Sequence, residues 1–376
     1  MISICHFANL LTGKADGVFT HLKLIFQTYD KKKYRHILVF QGAENVEVQL
    51  LQFGIKFYKV ESLKKKFCIK SFIEIHRIIK SENPDILQVH LLKPYAMVGL
   101  LNIFYKKKLI FNYNGLFINN IYNSFLEKMI YKFAHQIINL FNAVDCAIVP
   151  SEHSKNLLLQ ETKIFKKIKV YYNGYLQPNQ ATGLESISQE LENLKKQYVL
   201  IGLLARIESQ KRIDRALEVL IQLLQNKVNV YFVFMGDGPL EQQMIDKAND
   251  QGIDDHCRFY GYVENAPSYL KYFDLLLLTS DWEGLPLVIW EAMANGVPIV
   301  SSDVGGVKEI LESVHCGVVY DKDDVPTAVN ILKNIINKPD KLKAMGYNGK
   351  LAIKEKYTLQ NFSNTIDGFY KNLIEN

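Results

Sequence analysis

Short apolar runs recur along this chain and alternate with amphipathic stretches. In the first half they are Ile2–Phe7, Arg35–Gln41, Gly54–Val60, Ile86–Val89, Leu109–Tyr113, Cys146–Pro150 and Lys169–Tyr172. In the second half they are Tyr198–Ala205, Val228–Met235, Cys257–Tyr260, Leu275–Leu278, Pro298–Ser301 and Gly317–Val319. Such alternation predicts strands of a parallel sheet with helices wrapped over its faces, and it occurs twice. Between the two series Gln177–Ser188 is rich in Gln, Pro, Thr, Gly and Ser and reads as a linker. The expected fold class is therefore α/β, with two Rossmann-like, doubly wound domains facing across a cleft that holds the ligand. The domains are placed at 1–178 and 195–357, with the linker at 179–194. Residues 358–376 carry apolar positions at Phe362, Ile366, Phe369, Tyr370 and Ile374, the period of an amphipathic helix.

Composition narrows the class. At 376 residues the chain fits two domains, and 48% hydrophobic residues with a mean hydropathy of −0.04 describe a soluble globular protein. No stretch approaches the roughly 18 apolar residues of a membrane span. The N-terminal Met1–Phe7 has no basic flank and reads as a first strand, not a signal peptide. Cys5, Cys68, Cys146, Cys257 and Cys316 show no paired spacing and read as buried thiols of a cytoplasmic protein.

Charge changes the picture. Residues 1–180 hold 25 Lys and Arg against 12 Asp and Glu, whereas the remainder holds 20 against 27. Lysines cluster beside aromatics at Lys31–Lys33, Lys64–Lys66, Lys106–Lys108 and Lys166–Lys167. Base-stacking and groove-reading motifs are absent, so nucleic acid is not the expected partner. An anionic membrane surface is, with a peripheral position on its cytoplasmic face, since each lysine near such a surface contributes on the order of 1 kcal/mol. Aromatics at Phe117, Tyr122, Phe125 and Phe133 supply either an interfacial face or a core stripe.

The chemistry concentrates after Leu275–Leu278. Glu283 and Glu291 flank Gly284-Leu285-Pro286, with Leu287 next and Ala292–Pro298 and Gly305-Gly306 following. A carboxylate at a strand's carboxyl edge, the free amides of a new helix, and a second carboxylate inside it suit a sugar, a diphosphate and a ribose in sequence. This pattern resembles the hallmark of retaining, nucleotide-sugar-dependent glycosyltransferases of family 4, which have the GT-B architecture. Further segments extend the likeness over nearly the whole chain. Ala205–Lys211 is similar to the family's Gly-Arg-Leu-x(3)-Lys motif, Ala205 standing for Gly, and Gly236-Asp237-Gly238-Pro239 to its Gly-x-Gly-Pro turn. Pro84–His90 is similar to its Pro-Asp-strand-His element.

The resemblance implies that the 358–376 helix crosses back to the N-terminal, acceptor-side domain and that 195–357 binds the nucleotide-sugar. It implies Arg206 and Lys211 on the donor diphosphate, where charge builds as the glycosyl–phosphate bond breaks. Glu283, with backbone at Gly284, Leu285 and Leu287, holds the sugar, and Glu291 holds the ribose. Gly236, Tyr262 and Val263 lie by the nucleotide. Gly17 approaches the donor phosphate; Asp16, where relatives carry Gly, stands ready for an acceptor hydroxyl or as a loop cap. His90 joins the catalytic set, and Asn114 replaces a histidine that touches the donor sugar. No cofactor and no metal are expected, because Asp254-Asp255 and Asp323-Asp324 are adjacent pairs unsuited to one ion. The expected activity is retaining transfer from a nucleotide-diphosphate sugar to a hydroxyl of a lipid-linked surface glycan. Alternatives are a nucleotide-sugar epimerase, a soluble glucan synthase, or a non-catalytic partner subunit on the same fold.

Overall fold

A computed structural model describes the chain apart from residues 13–16, 65–67, 114–123, 162–166, 176–184 and 376. The chain divides into two compact units, one of Met1–Gly174 with Leu359–Asn376, the other of Tyr175–Thr358.

In the first unit the order is β1 (Ile2–Phe7), α1 (Gly17–Thr28), β2 (Tyr34–Phe40), α2 (Glu44–Phe53), β3 (Lys56–Lys59), α3 (Ile69–Glu82), β4 (Ile86–His90), α4 (Leu92–Tyr105), β5 (Lys108–Asn112), α5 (Phe125–Leu140), β6 (Cys146–Val149), α6 (Glu152–Glu161) and β7 (Ile168–Val170). All seven strands are parallel in the order β3-β2-β1-β4-β5-β6-β7. The near-continuous apolar runs exist because both faces are covered; β4 has every residue buried. Ile75, Ile79, Tyr95, Val98, Tyr131 and Ile138 pack from α3, α4 and α5 over Val89 and Phe111.

The second unit runs α7 (Glu185–Lys195), β8 (Val199–Leu204), α8 (Ile213–Gln225), β9 (Val230–Met235), α9 (Glu241–Asp250), β10 (Cys257–Phe259), β11 (Leu275–Leu278), α10 (Leu287–Asn295), β12 (Ile299–Ser302), α11 (Val307–Val314), β13 (Gly317–Tyr320), α12 (Val325–Ile336) and α13 (Pro339–Glu355). Its six strands are parallel in the order β10-β9-β8-β11-β12-β13. In each unit the winding reverses beside the first strand, between β1 and β4 and between β8 and β11. Such a reversal opens a crevice at the carboxyl edge of the sheet.

One boundary needs correction, and the last helix lies where the resemblance placed it. Residues 185–194, read as linker, form α7, which buries Leu191 and fastens Lys195 to Asp274 at 3.1 Å. Ile187, Leu191 and Leu194 recur at helical spacing inside a polar sequence, so composition hid the period. The last helix, α14 (Leu359–Glu375), belongs to the first unit. It lies on α1, and the Tyr370 hydroxyl donates to Gln88 Oε1 at 2.6 Å.

Candidate active site

The second unit builds its site where β8 and β11 part. After β8 the chain carries Arg206 and, five residues on, Lys211; after β11 it carries Glu283. Lys211 Nζ lies 2.6 Å from Glu283 Oε1, with the two side chains 18% and 7% exposed. Ser280 Oγ donates to the same oxygen at 2.7 Å. Charge-assisted bonds to a nearly enclosed carboxylate fix its orientation before any ligand arrives. Arg206 contrasts with this: its side chain is 61% exposed and, among the described residues, reaches only Glu208, at 3.8 Å. One cation is thus held in place and the other stands in solvent.

A second layer of polar groups ties the two loops together, and sequence reading missed it. The Thr279 hydroxyl meets the carbonyls of Lys211 and Arg212 at 2.9 and 3.0 Å. Gln210 Nε2 donates to the Trp282 carbonyl at 2.8 Å, and the Asp281 amide donates to the Gln210 carbonyl at 2.9 Å. Beneath them Arg215, only 4% exposed, donates to the Thr279 carbonyl, Asp281 and Asp323 at 2.8, 3.0 and 2.9 Å. One sign of it stood in the sequence: an arginine inside the apolar period of α8 needs buried acceptors.

Glycine sets the spacing of the loops. A Cβ on Gly305, at φ +57°, would meet the carbonyl oxygens of Glu283 and Gly284 at 2.3 and 2.4 Å. The Gly306 amide donates to the Gly284 carbonyl at 2.7 Å, so the loop after β12 is clamped onto the Glu283 loop. Gly236, at φ +142°, lies against the Ala205 carbonyl, and its amide donates to the Gly261 carbonyl at 2.7 Å. The loops after β8, β9 and β10 therefore form one backbone-laced rim bearing Tyr262, which is 46% exposed, and Val263.

α10 starts after Pro286 without any side-chain cap, leaving early amides such as those of Leu287 and Val288 for another acceptor. Glu291 lies a little over one turn inside. Among the described residues no donor reaches its half-buried carboxyl, and burial pushes its pKa up to about 7. Glu283, bonded, and Glu291, bare, are therefore chemically distinct. Among the described residues no three His, Cys, Asp or Glu side chains gather as a metal site.

Two family models match, one described as "Glycosyl transferases group 1" over residues 185–352, the other as "Glycosyltransferase Family 4" over residues 15–175. The chain is a GT-B glycosyltransferase of family 4. The transferase is 22% identical over 308 residues to the N-acetyl-alpha-D-glucosaminyl L-malate synthase of Bacillus anthracis, covering 79% of this chain and 77% of that one. It is 23% identical over 323 residues to an Escherichia coli UDP-Gal:alpha-D-GlcNAc-diphosphoundecaprenol alpha-1,3-galactosyltransferase, covering 82% and 80%. Its fold matches that of Anabaena Alr3699/HepE in complex with UDP, with a TM-score of 0.79 at 18% identity over 99% and 100% of the two chains.

In the first unit of the transferase, histidines from β1, β2, β4 and α1 meet in one row. His6 Nδ1 lies 3.3 Å from His90 Nε2, and His6 Nε2 lies 2.8 Å from His36 Nδ1. His21 joins through its ring contact with His90 and is held by Asn173 and Asn112 at 2.8 and 3.1 Å. Burial, with the neighbouring imidazoles, drives His6 and His90 well below the usual histidine range and brings His36 down to about 3, so these three rings are neutral at pH 7. His90 was expected to face substrate. It ends β4 and is 0% exposed, within the histidine row, and among the described residues its Nδ1 has no partner. Leu91, directly after it, has φ 72° and ψ 163°, a strained conformation of the kind that gathers at functional edges. Gly17 opens α1, and a Cβ there would meet nothing within 4 Å. Asp16 and Asn114 lie outside the described residues.

Proposed function

We propose that the transferase moves a sugar, with retention of anomeric configuration, from a nucleotide-diphosphate donor to a hydroxyl of a lipid-linked surface glycan. The observation that carries this reading is the Lys211–Glu283 pair at 2.6 Å, at the reversal point of the second sheet, with Arg206 exposed on the same loop as Lys211. Cleavage of the glycosyl–phosphate bond leaves negative charge on the β-phosphate. Arg206 and Lys211 meet that charge, and the free amides of α10 add the positive end of a helix dipole. Glu283, oriented by Lys211 and Ser280, accepts sugar hydroxyls, and Glu291 accepts those of the ribose. Retention then follows from attack on the face the diphosphate leaves, with the departing phosphate oxygen taking the acceptor's proton. The cations supply the stabilisation that a divalent ion gives elsewhere, so no metal is required.

Support for the donor comes from fold relatives solved with UDP and UDP-glucose. Support for the acceptor comes from relatives named for diphosphoundecaprenol and capsular polysaccharide chemistry. Among the described residues no helix is long and apolar enough to cross a membrane. The basic first half suits a peripheral position on the anionic, cytoplasmic face of one. The test of mechanism is proton NMR of the first product formed, in excess chelator: an anomeric configuration equal to the donor's is expected. An inverted product, or activity lost to the chelator and restored by a divalent ion, would overturn the mechanism.

A further inference from the structure

Between α3 and α4 the first unit leaves an apolar trough of about 490 Å³, walled by Ile69, Phe72 and Ile73 on one side and Met97 and Leu101 on the other. For scale, an apolar cavity of roughly 150 Å³ accepts benzene. The trough opens outward, since Ile69 is 81% and Ile73 44% exposed. Further apolar side chains are exposed in the same unit: Phe104 at the end of α4, and Phe125, Met129 and Phe133 on α5, which packs on α4. A layer this apolar at the surface marks an interaction site.

The surrounding charge identifies the partner's chemistry. Residues 61–141 hold twelve Lys and Arg against five Asp and Glu. Lys64 is exposed, as are Lys70 and Arg77 on α3, one of the trough's two walls, where Lys70 Nζ lies 3.9 Å from Glu74. Lys93, buried at the start of α4, donates to the Leu63 carbonyl close to Cys68, which lines the trough's upper end. An apolar trough in a segment with a net excess of cations matches an anion bearing a long hydrocarbon tail; a neutral glycan or a bare phosphate ester would leave the trough unfilled.

We propose that this trough holds one hydrocarbon chain of an anionic membrane lipid, its phosphate toward Lys64 and Lys70, while the exposed face of α5 lies on the bilayer. The inference rests on the membrane reading above and adds a defined lipid site to it.

Native mass spectrometry of the full chain with lysophosphatidylglycerol, below its micelle-forming concentration, is the test. One lipid retained per chain is expected, with retention weakened at least about tenfold in Leu101→Trp and in Met97→Phe, which fill the trough, and weakened for zwitterionic lysophosphatidylcholine. An unchanged circular-dichroism spectrum and an unchanged urea midpoint of the first unit certify that both variants fold. Phe125→Ser with Phe133→Ser should keep the monomeric lipid yet lose co-sedimentation with anionic vesicles. No retention by the parent, undiminished retention in both filled variants, or displacement by soluble glycerol phosphate would overturn the site. Retention without any vesicle binding by the parent would overturn the membrane reading and leave the chain site standing.

Discussion

Replacing Glu291 by glutamine tests how the fold treats the bare carboxyl of α10. Burial raises its pKa from 4.5 to about 7, a gap worth about 3 kcal/mol. Because the side chain is half-buried and water still screens it, about 2 kcal/mol is the better expectation. The neutral form is the one the fold prefers. Below the unfolded value the carboxyl is neutral in both states and costs nothing; between 4.5 and about 7 the unfolded chain ionises first, and above that the full penalty is present. Parent stability relative to Glu291→Gln should therefore match at pH 4 and fall by about 2 kcal/mol by pH 8. Urea unfolding followed by tryptophan fluorescence reads this directly, because both tryptophans, Trp282 and Trp290, lie in the second unit. If Glu291 holds the ribose as proposed, nucleoside diphosphate should counteract the penalty by donating ribose hydroxyls to the ionised form, so affinity should rise with pH through 7 in the parent alone. Parallel stability curves for parent and variant would refute the argument.

Other outcomes follow from the same geometry. Glu283→Gln and Lys211→Met should each lower turnover about a hundredfold and combine less than additively, because each variant already breaks the 2.6 Å pair; additive losses in kcat/KM would separate them. Gly305→Ala should destabilise the second unit by more than about 2 kcal/mol, from the left-handed backbone and the contacts with two carbonyls; an unchanged urea midpoint would contradict the clamp. Arg206→Ala should leave stability unchanged, because the side chain is exposed, while reducing turnover by at least about a hundredfold; a fall in both would mark it as structural.

The strands were legible in the sequence because parallel sheets covered on both faces require apolar runs, and Ile2–Phe7 and Leu275–Leu278 were read to the residue. Lys211 and Glu283, which the structure pairs, were legible because their motifs are local in sequence. Arg215 with Asp281 and Asp323 was not, since partners 66 and 108 residues apart leave no spacing to read. The histidine row escaped for the same reason: His6, His36 and His90 come from three strands and meet only once β1 lies between β2 and β4. α7 was hidden by composition. The aromatic stripe before and along α5 allowed two meanings, and only burial separates Tyr131, which faces the core, from Phe125 and Phe133, which do not.

The most direct test of the central claim is donor hydrolysis in the absence of acceptor across a panel of nucleotide-diphosphate sugars, run in parallel with Lys211→Met and Glu283→Gln. The account predicts slow release of nucleoside diphosphate from one donor or a few closely related ones, thermal stabilisation of the parent by that same donor, and loss of hydrolysis in both variants. Hydrolysis that persists in the two variants, or no stabilisation by any member of the panel, would contradict it.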